Sequence, residues 1–251
     1  MSSSRLPDDL MPTTLFIADL HLAATEPATT ETFFRFARDF APHADALYVV
    51  GDLFDYWVGD DSLGEPFNQA IVRAFADISG KGTALFFMHG NRDFLLAESF
   101  AAACGGSLIP DPALLDLYGT PTLLMHGDTL CTDDVEYLRF RATVRDPQWQ
   151  AEFLAKPLSE RQALVIDMRG RSEAIKRQKP LAIMDVALPT VEATLRAHAC
   201  GRLIHGHTHR PDIHLHRIDG RVCERWVLTD WQGTRGGYLA ATPEGCTAHF
   251  L

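Results

Sequence analysis

Five short apolar runs in this chain each end on side chains that commonly bind metal ions. The runs are too short for typical helices and are bounded by Gly, Asp or His, so we predict buried strands. Repeated strand ends of this kind gather distant ligands at one edge of a sheet. The candidate ligands, in chain order, are Asp19 and His21, Asp52, Asn91, His126, and His205 and His207.

Helical patterns separate these runs. Thr30–Phe40 and Phe67–Ile78 each place large apolar residues on one face at three- and four-residue spacing. Strand–helix alternation predicts parallel strands covered by helices. The last third instead predicts antiparallel strands joined by glycine-containing turns, at Ile213–Ile218, Val222–Thr229 and Gly237–Ala241. We therefore predict an α/β sandwich of two mixed β-sheets flanked by helices, in a single domain over residues 1–251.

One interval between the ligands is too long for a single strand crossover. Steps of 33, 39 and 35 residues separate Asp19, Asp52, Asn91 and His126, whereas 79 residues separate His126 from His205. Helix-capping signals in this interval predict a helical insertion at 132–180, which we interpret as a lid.

The insertion is basic, although the chain has a net charge of −10. Val135–Pro180 contains ten Lys/Arg and six Asp/Glu, a net charge of +4 by 10 − 6. A basic lid on an acidic body favours an anionic substrate. The alternative is a solvated helical hairpin with no such role.

Composition excludes several classes of function. The acidic balance argues against general nucleic-acid binding, which needs a basic surface. The five cysteines are odd in number and form no CxxC pair, which favours a reducing cytosol over a disulfide framework. The sequence has no signal-peptide pattern and no 18-residue apolar run, so we expect no spanning helix.

The candidate ligands suit a dinuclear metal centre. Three carboxylate or amide oxygens and four imidazoles are enough to hold two divalent ions, a known device for hydrolysing phosphate esters. Imidazole ligands favour Mn, Fe, Co or Zn over Mg. Each histidine alone could be a core residue, but their joint occurrence at strand ends makes that interpretation weak.

The ordered motifs resemble the calcineurin-like metallophosphoesterase superfamily over residues 15 to 211. Its motifs appear as Asp-x-His, Gly-Asp-x-x-Asp, Gly-Asn-Arg-Asp, His-Gly-Asp and His-Gly-His-Thr-His. The resemblance implies that one metal is held by Asp19, His21 and His207. It implies that the other is held by Asn91, His126 and His205, with Asp52 bridging the two.

Arg92 indicates a narrower family within this superfamily, because many superfamily members have histidine at this position. The segments GNRDF, HGDTLCTDD and AIMDV together resemble the UDP-2,3-diacylglucosamine pyrophosphohydrolases of lipid A biosynthesis. The resemblance implies hydrolysis of the substrate's diphosphate to UMP and 2,3-diacylglucosamine 1-phosphate (lipid X). It also implies two Mn²⁺ ions and attack of metal-activated water on the α-phosphorus.

The resemblance implies further roles by motif position. Arg92, Asp52 and His205 would be catalytic. Lys176 departs from the family pattern, which has a small polar residue there. The implied substrate-binding residues are Asn91, Arg92, Asp134, Ser172, Lys176, Lys179 and His205.

The implied partners are a lipid-linked sugar nucleotide and a membrane surface, with no nucleic acid and no obligate protein partner. The protein would then be peripheral, on the cytoplasmic face of the inner membrane. A phosphodiesterase or nucleotide pyrophosphatase acting on a soluble substrate is the enzymatic alternative. A scaffold that has lost catalysis is disfavoured, because all seven candidate ligands are present.

Overall fold

Two β-sheets form the centre of the structure, a computed structural model that describes residues 11–176 and 183–251, with only the backbone of 171–176. The strands are β1 Thr14–Ile17, β2 Ala46–Val50, β3 Ala84–Met88, β4 Ser107–Ile109, β5 Ala113–Leu117, β6 Thr120–Met125, β7 Arg202–His205, β8 Asp212–Ile218, β9 Arg221–Val227, β10 Gly237–Thr242 and β11 Gly245–Phe250. The helices are α1 Pro27–Asp39, α2 Pro66–Gly80, α3 Glu98–Cys104, α4 Val135–Val144, α5 Pro147–Leu154, α6 Leu158–Lys176 and α7 Leu188–Ala197.

Both sheets are mixed, as predicted. The six-stranded sheet has the order β11-β10-β1-β2-β3-β4, in which β1 to β4 are parallel and the last two strands of the chain add antiparallel. The five-stranded sheet has the order β5-β6-β7-β9-β8, with parallel pairs β6–β7 and β7–β9. Short turns join the antiparallel pairs, and helices cross between most of the parallel ones.

The core lies in layers because alternate residues of a strand face opposite sides of its sheet. Phe16, Val50 and Leu239 of the first sheet pack with Leu124 and Ile204 of the second in one buried cluster. On the other face of the first sheet, the apolar stripes of α1 and α2 are buried against the strands. That outer layer includes Phe33, Phe36, Leu47, Phe75 and Phe87.

The motifs predicted to bind metal meet where the parallel strands end. Backbone hydrogen bonds join their loops: Asp19 N–H donates to Gly51 O at 3.1 Å, and His21 N–H donates to Asp52 O at 3.0 Å. Across the sandwich, Gly206 N–H donates to the carbonyl of His126 at 2.9 Å. One edge of the fold therefore holds all five motifs.

Helices α4, α5 and α6 follow β6, inside the interval for which an insertion is predicted. Asp146 is the N-cap of α5, and its side chain accepts from Trp149 N–H at 3.0 Å. Asp134 caps α4 in the same way. Helix α6 begins at Leu158 and is described to Lys176.

Candidate metal centre

Three side chains from the first and last motifs converge on one point. Single ligand atoms of Asp19, His21 and His209 all lie within 4.8 Å of one another. His209 Nε2 is 3.6 Å from Asp19 Oδ1 and 3.2 Å from His21 Nε2. Carboxylate and imidazole donors placed in this way could hold one metal ion.

A second group lies beside the first. Asn91 Oδ1 is 3.0 Å from His126 Nε2 and 2.7 Å from His207 Nδ1. Asp52 lies between the groups, with Oδ1 3.8 Å from His126 Nε2 and Oδ2 3.9 Å from His21 Nδ1. The carboxylate of Asp52 thus lies between the two groups, where two cations could share it.

His205 lies outside both groups, which differs from the sequence expectation. It is the last residue of β7 and is fully buried, with Nδ1 2.8 Å from Gly206 O and Nε2 3.1 Å from Arg225 Nη1. A carbonyl accepts and a guanidinium donates, so the ring is neutral with its proton on Nδ1. Burial and the charge of Arg225 lower the pKa of His205 to about 4. The converging pair is therefore His207 and His209.

Backbone conformation marks the same residues. Among the described residues, eight other than glycine have positive φ, and five of these are in the two groups. Left-handed backbone costs energy for a residue with a Cβ and commonly occurs at functional sites. The five are Asp19 at 54°, His21 at 47°, Asp52 at 52°, His207 at 69° and His209 at 54°.

Glycines allow the loops to approach closely. A Cβ at Gly206 would lie 2.4 Å from Asp19 Oδ2, and one at Gly90 would lie 2.1 Å from Asp52 Oδ1. Either side chain would push a carboxylate away from the centre.

The buried groups influence one another's protonation. Burial raises the pKa of Asp52 to about 6, although the charge of His126 opposes the shift. Burial alone would lower the pKa of His126, but the surrounding carboxylates, Asp52 first, raise it to about 9. Burial alone would raise the pKa of Asp19, but its contact with His209 and the charges of the neighbouring imidazoles hold it well below its usual range.

The residues present fit two divalent cations. Asp19 Oδ1 is buried and accepts no hydrogen bond within the described part of the chain. The donors are carboxylate, amide and imidazole, a mixture that suits Mn²⁺ or a neighbouring transition metal.

Asp93, in the same segment as Asn91, was not predicted as a site residue. Its buried carboxylate accepts from the backbone N–H groups of Gly90 at 2.7 Å, Leu53 at 2.7 Å and Asp52 at 3.3 Å. It therefore fixes the loop that carries Asp52 to the loop that carries Asn91. Its place in GNRDF, one residue after Arg92, is the only signal of this role in the sequence.

Arg92 lies at the rim of the centre. Its backbone N–H donates to Asp52 Oδ1 at 2.8 Å, and its guanidinium Nη1 donates to Asp55 Oδ1 at 3.2 Å. Asp55 also accepts from Arg169 of α6. One buried carboxylate thus joins a metal-motif loop to the insertion.

Among the side chains that the structure describes, four cationic residues of the insertion contact the body of the protein. Arg141 Nε donates to Asp128 at 2.7 Å, and Arg145 donates to the carbonyl of Gly90 at 2.8 Å. Arg161 and Arg169 contact carboxylates of the loop after β2. These four arginines therefore anchor the helices to the body.

The expected substrate contacts are described unevenly. Asp134 caps α4 by accepting from Tyr137 N–H at 3.0 Å. The side chains of Ser172 and Lys176, and all of Lys179, lie outside the described residues. Between α6 and the loop after β2 is a cavity of about 280 Å³, lined in part by Phe54, Trp57, Phe67, Ile166 and Arg169.

In the described residues, no helix is both long and apolar enough to span a membrane.

Comparison with known proteins gives consistent matches. Residues 12–211 match the family described as calcineurin-like phosphoesterase. The chain is 51% identical over 217 residues to the UDP-2,3-diacylglucosamine hydrolase of Aromatoleum aromaticum, covering 86% of this chain and 88% of that protein. It is 49% identical to the protein of the same name from Chromohalobacter salexigens, covering 89% and 91%. It is 45% identical to the protein of the same name from Stenotrophomonas maltophilia strain R551-3, covering 95% of this chain and 98% of that protein.

Proposed function

Since the chain belongs to the calcineurin-like phosphoesterase family and, within it, to the UDP-2,3-diacylglucosamine hydrolases, we propose that it hydrolyses the diphosphate of UDP-2,3-diacylglucosamine. The products are UMP and 2,3-diacylglucosamine 1-phosphate. The observation that carries this proposal is 51% identity to a relative covered over 88% of its length. The shared position of Asp52 between two ligand groups supports a hydrolytic dinuclear centre.

The ligands that we propose differ from the sequence expectation in the last motif, where His207 and His209 replace His205 and His207. Asp19, His21 and His209 would hold the first cation. Asn91, His126 and His207 would hold the second, and both would share Asp52. His207 replaces His205 among the residues that face the substrate, since the His205 ring is buried against Arg225. We propose Mn²⁺ for both positions, because each has two imidazole ligands, which disfavour Mg²⁺.

When bound, the two cations would supply Lewis-acid stabilisation of a phosphoryl oxygen and activation of the attacking water. The chain itself binds and orients the diphosphate. Arg92 offers a planar cationic fork, which matches phosphate geometry. Asp55 holds that guanidinium at the rim, and Asp52 is fixed by the Arg92 backbone N–H. Attack on the α-phosphorus places the new oxygen in UMP.

The insertion would cover the lipid end of the substrate as a lid. The cavity under α6 has aromatic walls beside the Asp55–Arg169 pair, an arrangement that suits acyl carbon next to an anionic group. We also propose that Asp134, Ser172, Lys176 and Lys179 contact the substrate.

Membrane attachment would be peripheral, at the cytoplasmic face of the inner membrane. Exposed apolar side chains on α4, α5 and α6 support attachment through the insertion, because the acidic body is repelled by anionic headgroups. These side chains include Phe140, Leu154 and Ile166.

Hydrolysis in ¹⁸O-labelled water with Mn²⁺ tests the reaction. We expect the label in UMP, and label in the lipid product would contradict attack at the α-phosphorus. Bis(p-nitrophenyl) phosphate serves as the comparison substrate. Turnover of that ester without turnover of the lipid-linked substrate would instead support a phosphodiesterase acting on soluble substrates.

A further inference from the structure

Asp128 is a buried carboxylate beside the second ligand group. It follows His126 and Gly127 directly and is fully buried. Its Oδ2 accepts from Tyr137 Oη at 2.5 Å and from Arg141 Nε at 2.7 Å. Both donors belong to α4, so a single oxygen joins the insertion to the loop of His126.

Asp128 belongs to none of the groups of possible metal ligands found among the described residues, although it lies two positions after His126. Its hydrogen bonds with Tyr137 and Arg141 instead hold the loop of His126 against α4.

Tyr137 contacts the other histidine of the group. Its ring centroid lies 5.8 Å from that of His207, with an angle of 34° between the rings. The His126 and His207 rings are 5.1 Å apart, nearly perpendicular. Since the Tyr137 hydroxyl is held by Asp128 and the helix start is capped by Asp134, the ring has little freedom to leave His207.

The position of His207 thus depends on a helix that supplies none of the proposed ligands. The loop of His207 is separate from the loop of His126, and Tyr137 and Asp128 connect the two. Groups that orient metal ligands in this way typically change metal affinity by about 10–100-fold when they are removed.

We propose that Asp128 and Tyr137 are positioning residues for the metal held by Asn91, His126 and His207, and that they couple occupancy of this position to docking of α4. The inference rests on the proposed dinuclear centre.

The test is calorimetric titration of the metal-free full-length protein with Mn²⁺. Wild type should bind two ions. Tyr137→Phe, which loses one hydroxyl, should weaken one of the two sites about tenfold or more and leave the other unchanged. Tyr118→Phe is the matched control, because it also removes one hydrogen bond, to Thr14 Oγ1 at 2.9 Å, but far from the centre. Equal affinities in wild type and Tyr137→Phe would overturn the inference, whereas fewer than two sites in wild type would overturn the dinuclear centre itself.

Two further readouts separate positioning from a direct contact with substrate. With hydrolysis of the lipid-linked substrate as the assay, excess Mn²⁺ should restore the turnover of Tyr137→Phe. A loss that persists at every Mn²⁺ concentration would overturn the positioning role.

Amide hydrogen exchange in 135–144 should slow when wild type binds Mn²⁺, and the effect should shrink in Tyr137→Phe. If amide exchange in 135–144 of the wild type is equally fast with and without Mn²⁺, the coupling to α4 is overturned.

Discussion

Asn91 Oδ1 lies 2.7 Å from Nδ1 of His207, although 116 residues separate the two in the chain. This contact identifies which histidine of the last motif shares a metal position with the amide. It also requires that the loop after β3 and the loop after β7 meet across the sandwich. Several measurable consequences depend on this arrangement.

The three histidines of the last motif should differ sharply in metal binding. We expect His207→Ala and His209→Ala each to lose one of two Mn²⁺ ions per chain, measured by elemental analysis after dialysis. His205→Gln should retain both, because its amide can donate to Gly206 O and accept from Arg225 in place of the imidazole. Loss of an ion from His205→Gln would restore His205 as a ligand.

Metal affinity should rise with pH across the neutral range. In the metal-free protein the pKa of His126 is about 9, so this ring carries a proton at pH 7 that a cation must displace. One displaced proton makes affinity rise by about tenfold per pH unit below that pKa. Calorimetry at pH 7 in buffers of different ionisation enthalpy measures the protons released. A binding enthalpy that is the same in every buffer would contradict this expectation.

Asp93→Asn should destabilise the protein and weaken its metal centre. The carboxylate accepts three backbone hydrogen bonds in a buried place, and an amide can reproduce only part of this pattern. We expect the free energy of unfolding in urea to fall by about 1–3 kcal/mol. Asp116→Asn is the control, since this exposed carboxylate accepts from Gly119 N–H at 2.7 Å. Equal stability of the two variants would argue against a linking role for Asp93.

Gly59→Ala should loosen the insertion from the body. Gly59 has φ 126°, and a Cβ there would lie 2.5 Å from Arg161 Nη1 and 2.8 Å from Leu154 Cδ2. Since both atoms belong to the insertion, we expect faster trypsin cleavage within 147–176 and a stability loss above about 1 kcal/mol. Gly64→Ala should change neither, because a Cβ there would meet no heavy atom of the described residues within 4 Å and its φ is not left-handed. Unchanged cleavage in Gly59→Ala would show that Arg161 does not anchor α6.

The sheets could be predicted because each buried strand is a short apolar run that ends at a polar ligand. The same rule could not choose among the histidines of the last motif. His205, His207 and His209 alternate along the chain, so either adjacent pair has the right spacing. The choice depends on β7 remaining a strand through His205 and on left-handed backbone at the next two histidines. Neither property can be read from residue types.

Long-range contacts account for the remaining differences. Nothing in the sequence pairs Arg225 with His205, or Arg145 with the carbonyl of Gly90. The basic charge of the insertion was visible, but charge counts do not distinguish arginines that contact carboxylates of the protein from those left for a substrate. The distinction requires knowing which loops lie beneath α4 and α6.

The neighbouring positions of β6 and β7 have a consequence for how such a protein can diversify. The two strands are hydrogen-bonded in parallel, with Thr122 paired to Arg202, so the long segment between them crosses from the end of β6 to the start of its neighbour β7. Lengthening, shortening or exchanging that segment leaves the strand order intact. The arginine contacts limit such exchange. A replacement segment must supply Asp128 with a cationic partner in place of Arg141, whereas Asp55 keeps Arg92 when Arg169 is removed.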